Sequence, residues 1–249
     1  MKEFSTLTKI YILLTMVVGL GLSLWQLGRL EGLGWGLLAL AALASIAQLL
    51  KIEGPTERSS YNISWLVYGF TLALLGAPAA VVVILVAHVV EWVRYRYPWY
   101  IQLFNAASYA LAITVAGLVF QAFNTGDTLM TAAGAVGALL AVLVFTFINH
   151  LMVGLVLMLA RGESLAESGV FDSLSLLMDF TIFGVGVASA LLWMVNPVAI
   201  LFNLIPLYLF YNALKVPRLQ RQVEQLEDRL AELDLQSDRL AVEPQPGLD

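Results

Sequence analysis

The chain has 249 residues, 60% of them hydrophobic and 12% charged, against about 25% charged in a soluble domain. That composition excludes a soluble globular protein and points to an integral membrane one. The net charge of −5 collects after Glu224 and leaves no basic patch for nucleic acid, while the lack of cysteine excludes disulfides, thiolate metal sites and cysteine nucleophiles.

The N-terminus, MKEFSTLTKIYILLTMVVGLGLSLWQLG, is charged and then apolar without a small-x-small cleavage site, so it predicts a retained first span. Hydropathy and breakers predict eight helices over 9–28, 33–51, 61–76, 78–93, 100–123, 129–160, 171–194 and 197–214. The third and fourth depend on Pro78. Proline suits a first helical position and its predecessor resists the helical conformation, so Gly76-Ala77-Pro78 predicts a tight turn between two short helices.

Charge supports that division. With eight spans and a cytoplasmic N-terminus, the inside segments hold Lys2, Lys9, Lys51, Arg58, Arg94, Arg96, Arg161, Lys215, Arg218, Arg221, Arg229 and Arg239, leaving Arg29 outside. Seven spans would strand Arg94, Arg96, Arg161 and the basic C-terminal junction on the outer side. Both termini are therefore expected in the cytoplasm.

After the last span, Leu219, Val223, Leu226, Leu230, Leu233, Ser237 and Leu240 recur at alternating intervals of four and three, which predicts a coiled-coil seam. A lone amphipathic helix on the bilayer is the competing reading. The closing VEPQPGLD is acidic and contains proline, as disordered tails do. The expected divisions are a transmembrane domain over 1–214, a cytoplasmic amphipathic or coiled-coil helix over 215–241, and a disordered tail over 242–249.

Polar groups inside hydrocarbon are costly and mark candidate sites. His88, Glu91, Asn105, Asn149, His150 and Asp179 all fall in the cytoplasmic half of four predicted helices, which suggests a common pocket or network opening inward. His88 and Glu91 are three apart on one helical face, a spacing open to metal ligation, to a proton- or ligand-responsive site, or to a structural hydrogen bond. No third ligand is evident, so no metal site is assigned. Asp179 needs a partner or a proton to be tolerated.

Trp92, Arg94, Tyr95, Arg96, Tyr97, Trp99 and Tyr100 beside two spans predict an interfacial belt rather than a nucleic-acid surface. Gly134/Ala138, Gly137/Ala141, Gly184/Ala188 and Gly186/Ala190 predict close helix contacts. No phosphate-cradling loop or nucleophile elbow occurs, so no catalytic residue is assigned and the chain is expected not to be an enzyme.

The order of SSYNIS, a short span ending LLGAP, a second span, RYRYPWYIQLFNAA, FINHLMVGLVLMLARGESL and a last span with Pro206 resembles the multi-span N-terminal region of bacterial membrane-bound signalling proteins. There it precedes HD-type phosphohydrolase or GGDEF-type cyclase domains. The resemblance covers residues 55–220 and implies a sensory or input module whose last helix continues into a dimeric signalling helix. The sequence holds neither an HD pair nor a GGDEF motif, so cyclic-dinucleotide chemistry is not implied. The LLGAP turn is more remotely similar to the substrate-binding membrane subunits of energy-coupling-factor vitamin transporters. Those capture a small molecule from the outer side, where this sequence offers Gln121, Asn124, Asp127 and Asn196.

The expected fold is thus an all-α polytopic membrane bundle of about eight spans with a C-terminal cytoplasmic coiled-coil helix, in a bacterial cytoplasmic membrane. The expected function is a non-enzymatic sensory, input or scaffolding module. The alternatives are an accessory subunit of a larger membrane complex and a small-molecule-binding transporter subunit. Lipids and a second copy or other membrane proteins are the expected partners. No cofactor is assigned.

Overall fold

The computed structural model describes residues 1, 4–50, 52–53, 60–124 and 131–203, with 205, 208, 212, 223 and 226–233. Leu219, Ser237 and Leu240 of the expected seam, Asp127 and the 242–249 tail lie outside the described residues. The elements are α1 (Thr6–Leu27), α2 (Trp35–Leu49), a two-residue antiparallel pairing of β1 (Ile52–Glu53) with β2 (Ser60–Tyr61), α3 (Ser64–Tyr95), α4 (Trp99–Phe123), α5 (Ala132–Arg161), α6 (Ser173–Val195) and a 3₁₀ segment Pro197–Asn203.

Local sequence chemistry sets the helix ends. Ser5 accepts the Thr8 N–H at the start of α1, Thr131 accepts that of Gly134 before α5, and Asp172 accepts those of Leu174 and Ser175 before α6. Gly162 closes α5 with a left-handed φ of 73°, the conformation glycine adopts without cost. The expected helix over 197–214 begins instead as a 3₁₀ turn, because Asn196 is extended and its side-chain oxygen captures the Val198 N–H.

The long α3 is not a rod. Gly76 has φ 82° and ψ 175°, a backbone state open essentially to glycine, and Pro78 restarts the helix just beyond it. As a straight helix its 32 residues would keep Ser64 and Glu91 about 40 Å apart. Both instead bond to the side chain of Gln48. The helix therefore doubles back at Gly76 into arms over 64–75 and 77–95.

Among the described residues five helices, α1, α3, α4, α5 and α6, are long and apolar enough to cross a membrane, counting α3 whole. The apolar windows of α3 and α4 are each 61% buried, against 33% for α1 and α5. The hairpin and α4 are thus the centre, and the other helices give their outer faces to lipid.

Backbone closeness holds the centre together. A Cβ on Gly186 would overlap the Leu66 carbonyl, and one on Gly69 would overlap that of Phe183, so α6 and the first arm of α3 touch main chain to main chain. Gly137 packs closely on the Phe123 side chain, whereas a Cβ on Gly184 would make only an ordinary contact with Val142 at 3.7 Å. Phe145 and Phe183 stack between α5 and α6 with ring centroids 4.1 Å apart.

One end of the bundle is recognisable by its contacts. The Thr8 hydroxyl donates to the Leu159 carbonyl, the Tyr95 hydroxyl to that of Leu49, and Phe4 meets the Tyr100 ring. Lys9, Arg94, Arg96 and Arg161 belong to this end, and Arg29 lies at the other, beside Gly76.

Candidate functional site

The last turn of α2 points Gln48 between the two arms of α3, where it is 2% exposed. Its Oε1 accepts from Asn62 Nδ2 at 2.7 Å, the Ser64 hydroxyl at 2.6 Å and the Tyr68 hydroxyl at 3.1 Å. Its Nε2 donates to Glu91 Oε2 at 2.9 Å. The surroundings dictate this amide orientation, since the reverse would aim an N–H₂ at the Asn62 donor and an oxygen at a carboxylate.

Glu91, also 2% exposed, collects two more nitrogens. Gln102 Nε2 donates to the same Oε2 at 3.0 Å and to the His88 carbonyl at 2.7 Å, and His88 Nδ1 lies 3.3 Å from that oxygen. An isolated carboxylate here would cost several kcal/mol or more, and these donors offset part of that cost. The His88 ring meets Tyr109 edge to face, 4.9 Å between centroids.

A second pair lies between α5 and α6. His150 Nε2 is 2.9 Å from Asp179 Oδ2, while its Nδ1 reaches the carbonyl of Val170 in the loop connecting these helices. Phe171 of that loop packs on Gly154 and stands near Phe147 and His150. Trp65 stands between the two pairs, donating from Nε1 to the Tyr109 hydroxyl at 2.9 Å and setting its ring edge-on to His150 at 6.3 Å.

Of the six polar residues expected to share a pocket, the structure brings together His88 with Glu91 and His150 with Asp179. Asn105 is half-buried and Asn149 buried, and among the described residues neither hydrogen-bonds to either pair. Asn149 adjoins His150 in sequence and so points about 100° away around α5. Sequence reasoning missed Gln48, Asn62, Ser64, Trp65, Tyr68, Gln102 and Tyr109. Gln48 and Gln102 were visible as amides in apolar runs, but neither is ionisable and both lie close to helix ends.

The belt residues Trp92, Arg94, Tyr95, Arg96, Tyr97 and Trp99 are all exposed, and Tyr100 is half-buried. Trp92 Nε1 donates to the Tyr97 carbonyl, and Arg96, with a left-handed φ of 56°, turns the chain out of α3. Val223, Leu226, Leu230 and Leu233 of the expected seam are each more than half exposed. Among the described residues no three His, Cys, Asp or Glu side chains gather as a metal site would need.

At the far end, around the Gly76 turn, a cleft of about 500 Å³ is lined by Arg29, Glu31, Leu37, Pro78, Gln121 and their neighbours. Arg29 lies over the Trp25 ring, 4.8 Å from its centroid.

A sequence model of the MASE9 family, a family of membrane-associated sensory domains, matches residues 66–219, more than half of the chain. The chain belongs to the MASE9 family. It is a membrane protein accordingly. The MASE9 match contains both histidine–carboxylate pairs with Gln102 and Tyr109, starts one residue after Trp65 and ends on Leu219. Gln48, Asn62 and Ser64 precede it, so part of the network comes from chain outside the MASE9 segment. No curated protein and no solved structure matches this chain.

Proposed function

We propose that this chain is a non-enzymatic sensory or input module of a bacterial cytoplasmic membrane, which passes a stimulus from its helical bundle to a C-terminal helix paired with a second copy of the chain. The observation that carries this reading is the apolar row Val223, Leu226, Leu230 and Leu233, more than half exposed, following directly on a membrane-associated sensory family match. An apolar heptad row in water is stabilised by a partner row, and a second copy supplies one in register. Eight crossings, with α3 as two, give both termini to the cytoplasm and accord with the gathering of Lys9, Arg94, Arg96 and Arg161 at one end. The resemblance to signalling proteins suggests an HD- or GGDEF-type protein, or another membrane protein, as the downstream partner.

The test is the oligomeric state of the full chain in nanodiscs. Leu226→Glu with Leu230→Glu should turn a dimer into a monomer while leaving the helix content of the bundle intact. A wild-type chain that is already monomeric, or a dimer indifferent to the two charges, overturns the reading.

The cleft beside Gly76 favours a second reading, in which the bundle captures a small solute from the outer side. A small molecule that co-purifies and is lost on Arg29→Ala would support it.

A further inference from the structure

The loop between α5 and α6 is tied to the bundle by the packing of Phe171 and by a hydrogen bond to His150, and the chemistry of the second tie depends on a proton. His150 is 4% exposed and has an oxygen facing each ring nitrogen, the Val170 carbonyl at Nδ1 and Asp179 Oδ2 at Nε2. A carbonyl only accepts, so Nδ1 carries a hydrogen. The neutral ring then has a bare lone pair at Nε2, directed at a carboxylate that also only accepts. The 2.9 Å contact needs one more proton, on Nε2 as imidazolium or on Asp179 as the acid.

We propose that the His150–Asp179 pair binds a single proton that latches the 162–172 loop onto the bundle, and that losing this proton releases the loop. The pair titrates as a unit, so the proton belongs to both side chains. While it is present, Nδ1 holds Val170, and Phe171 fills the notch at Gly154. Once it is gone, the neutral ring has one N–H for two acceptors; on Nε2 it serves the Asp179 carboxylate, the stronger acceptor, and Nδ1 then faces the Val170 carbonyl with a lone pair. Val170 loses its donor, and the loop that leads into α6 is freed. Closure is therefore favoured at low pH and lost as pH rises through the pair's titration.

Among the described residues, neighbouring charges do not supply the missing donor. From α3 the pair meets Trp65, which is not titratable in this range, and from α4 Tyr109, whose hydroxyl accepts from Trp65 and lies within electrostatic reach of both Asp179 and Glu91. Within the loop Asp172 caps α6, Glu167 accepts the Ser164 N–H and Arg161 lies 4.0 Å from Glu163.

The chain has no cysteine, so Ala166→Cys, at an exposed loop position, places one nitroxide label on the full-length protein in nanodiscs. Its mobility is read from about pH 5 to about pH 9, a range that spans the usual histidine value. The label should be immobilised at the acid end and severalfold more mobile at the alkaline end. Asp179→Asn should stay immobilised throughout, because the amide N–H₂ donates to neutral Nε2 without a titrating proton. His150→Ala should be mobile throughout. A wild-type label indifferent to pH, or Asp179→Asn following the wild-type curve, overturns the latch; both comparisons stand even if His150→Ala fails to fold.

The latch rests on its own geometry, and only its use as an input rests on the sensory reading. Cross-linking through the 226–233 seam in the same samples separates them. A pH-dependent loop above an unchanging seam keeps the latch and removes its signalling role. A pH-indifferent loop removes the latch and leaves the dimer reading standing.

Discussion

Ser64 and Glu91, near opposite ends of α3, bond to opposite sides of one amide, that of Gln48. This relation both demonstrates the hairpin and holds it shut, because α2 is stitched to both arms at once. Gln48→Ala should cost about 2–5 kcal/mol, since it strands the buried Asn62 and Tyr68 donors and removes one partner of a buried carboxylate. Glu91→Gln keeps an acceptor for both amides and should cost under about 1.5 kcal/mol. Thermal unfolding in detergent ranks the two, and equal losses would show that the network does not bear on the hairpin.

Gly186 and Gly184 are adjacent members of the small-residue stripes on α6, yet they should respond oppositely to one added methyl. Gly186→Ala drives a Cβ into the Leu66 main chain, which cannot yield as a side-chain tip can, and should cost about 2–4 kcal/mol or block assembly. Gly184→Ala meets only Val142 at 3.7 Å and should be neutral or mildly stabilising. Expression and melting temperature of the two variants decide the matter.

At Gly76 the φ of 82° with ψ of 175° is denied to residues with a Cβ. Gly76→Ala should cost about 1–3 kcal/mol through backbone strain alone, its nearest neighbour being the Pro78 ring at 3.7 Å. An alanine variant with an unchanged melting temperature would show that the two arms tolerate another turn geometry.

The loop carries a second pH response, of opposite sign. The Ser164 N–H donates to Glu167 and the Glu167 N–H to the Ser164 hydroxyl, a reciprocal cap that holds the Glu167 carboxyl below its usual range, the backbone donor contributing most. A carboxyl whose folded value is lowered adds stability that is complete above its unfolded value of about 4.3 and is lost as pH falls through the folded one. The Ser164 amide resonance should therefore move as pH drops below about 4. Glu167→Gln should abolish that movement.

Helix existence and the break at Gly76 were legible in the sequence, because proline chemistry and arginine placement pointed the same way. His88 with Glu91 was legible too, as two polar side chains on one helical face. What could not be read was which helices meet. Gln48 comes from α2 and Gln102 from α4, and linear spacing carries no information on their approach to Glu91. Asn105 was grouped with the pairs by depth along its helix, and depth says nothing of azimuth. The 3₁₀ start at Pro197 hid in Asn196, whose side chain competes with the helix for a backbone N–H.

The first arm of α3, residues 64–75, reaches only about 18 Å, short of the roughly 30 Å of hydrocarbon, and its main chain packs against that of α6. The ribosome makes that neighbour some hundred residues later. During synthesis the arm must therefore enter the bilayer together with its longer sibling, and it acquires its permanent berth only after Gly186 has emerged. Biogenesis of this bundle is a matter of waiting, and a chain truncated before α6 should fall to the membrane quality-control proteases.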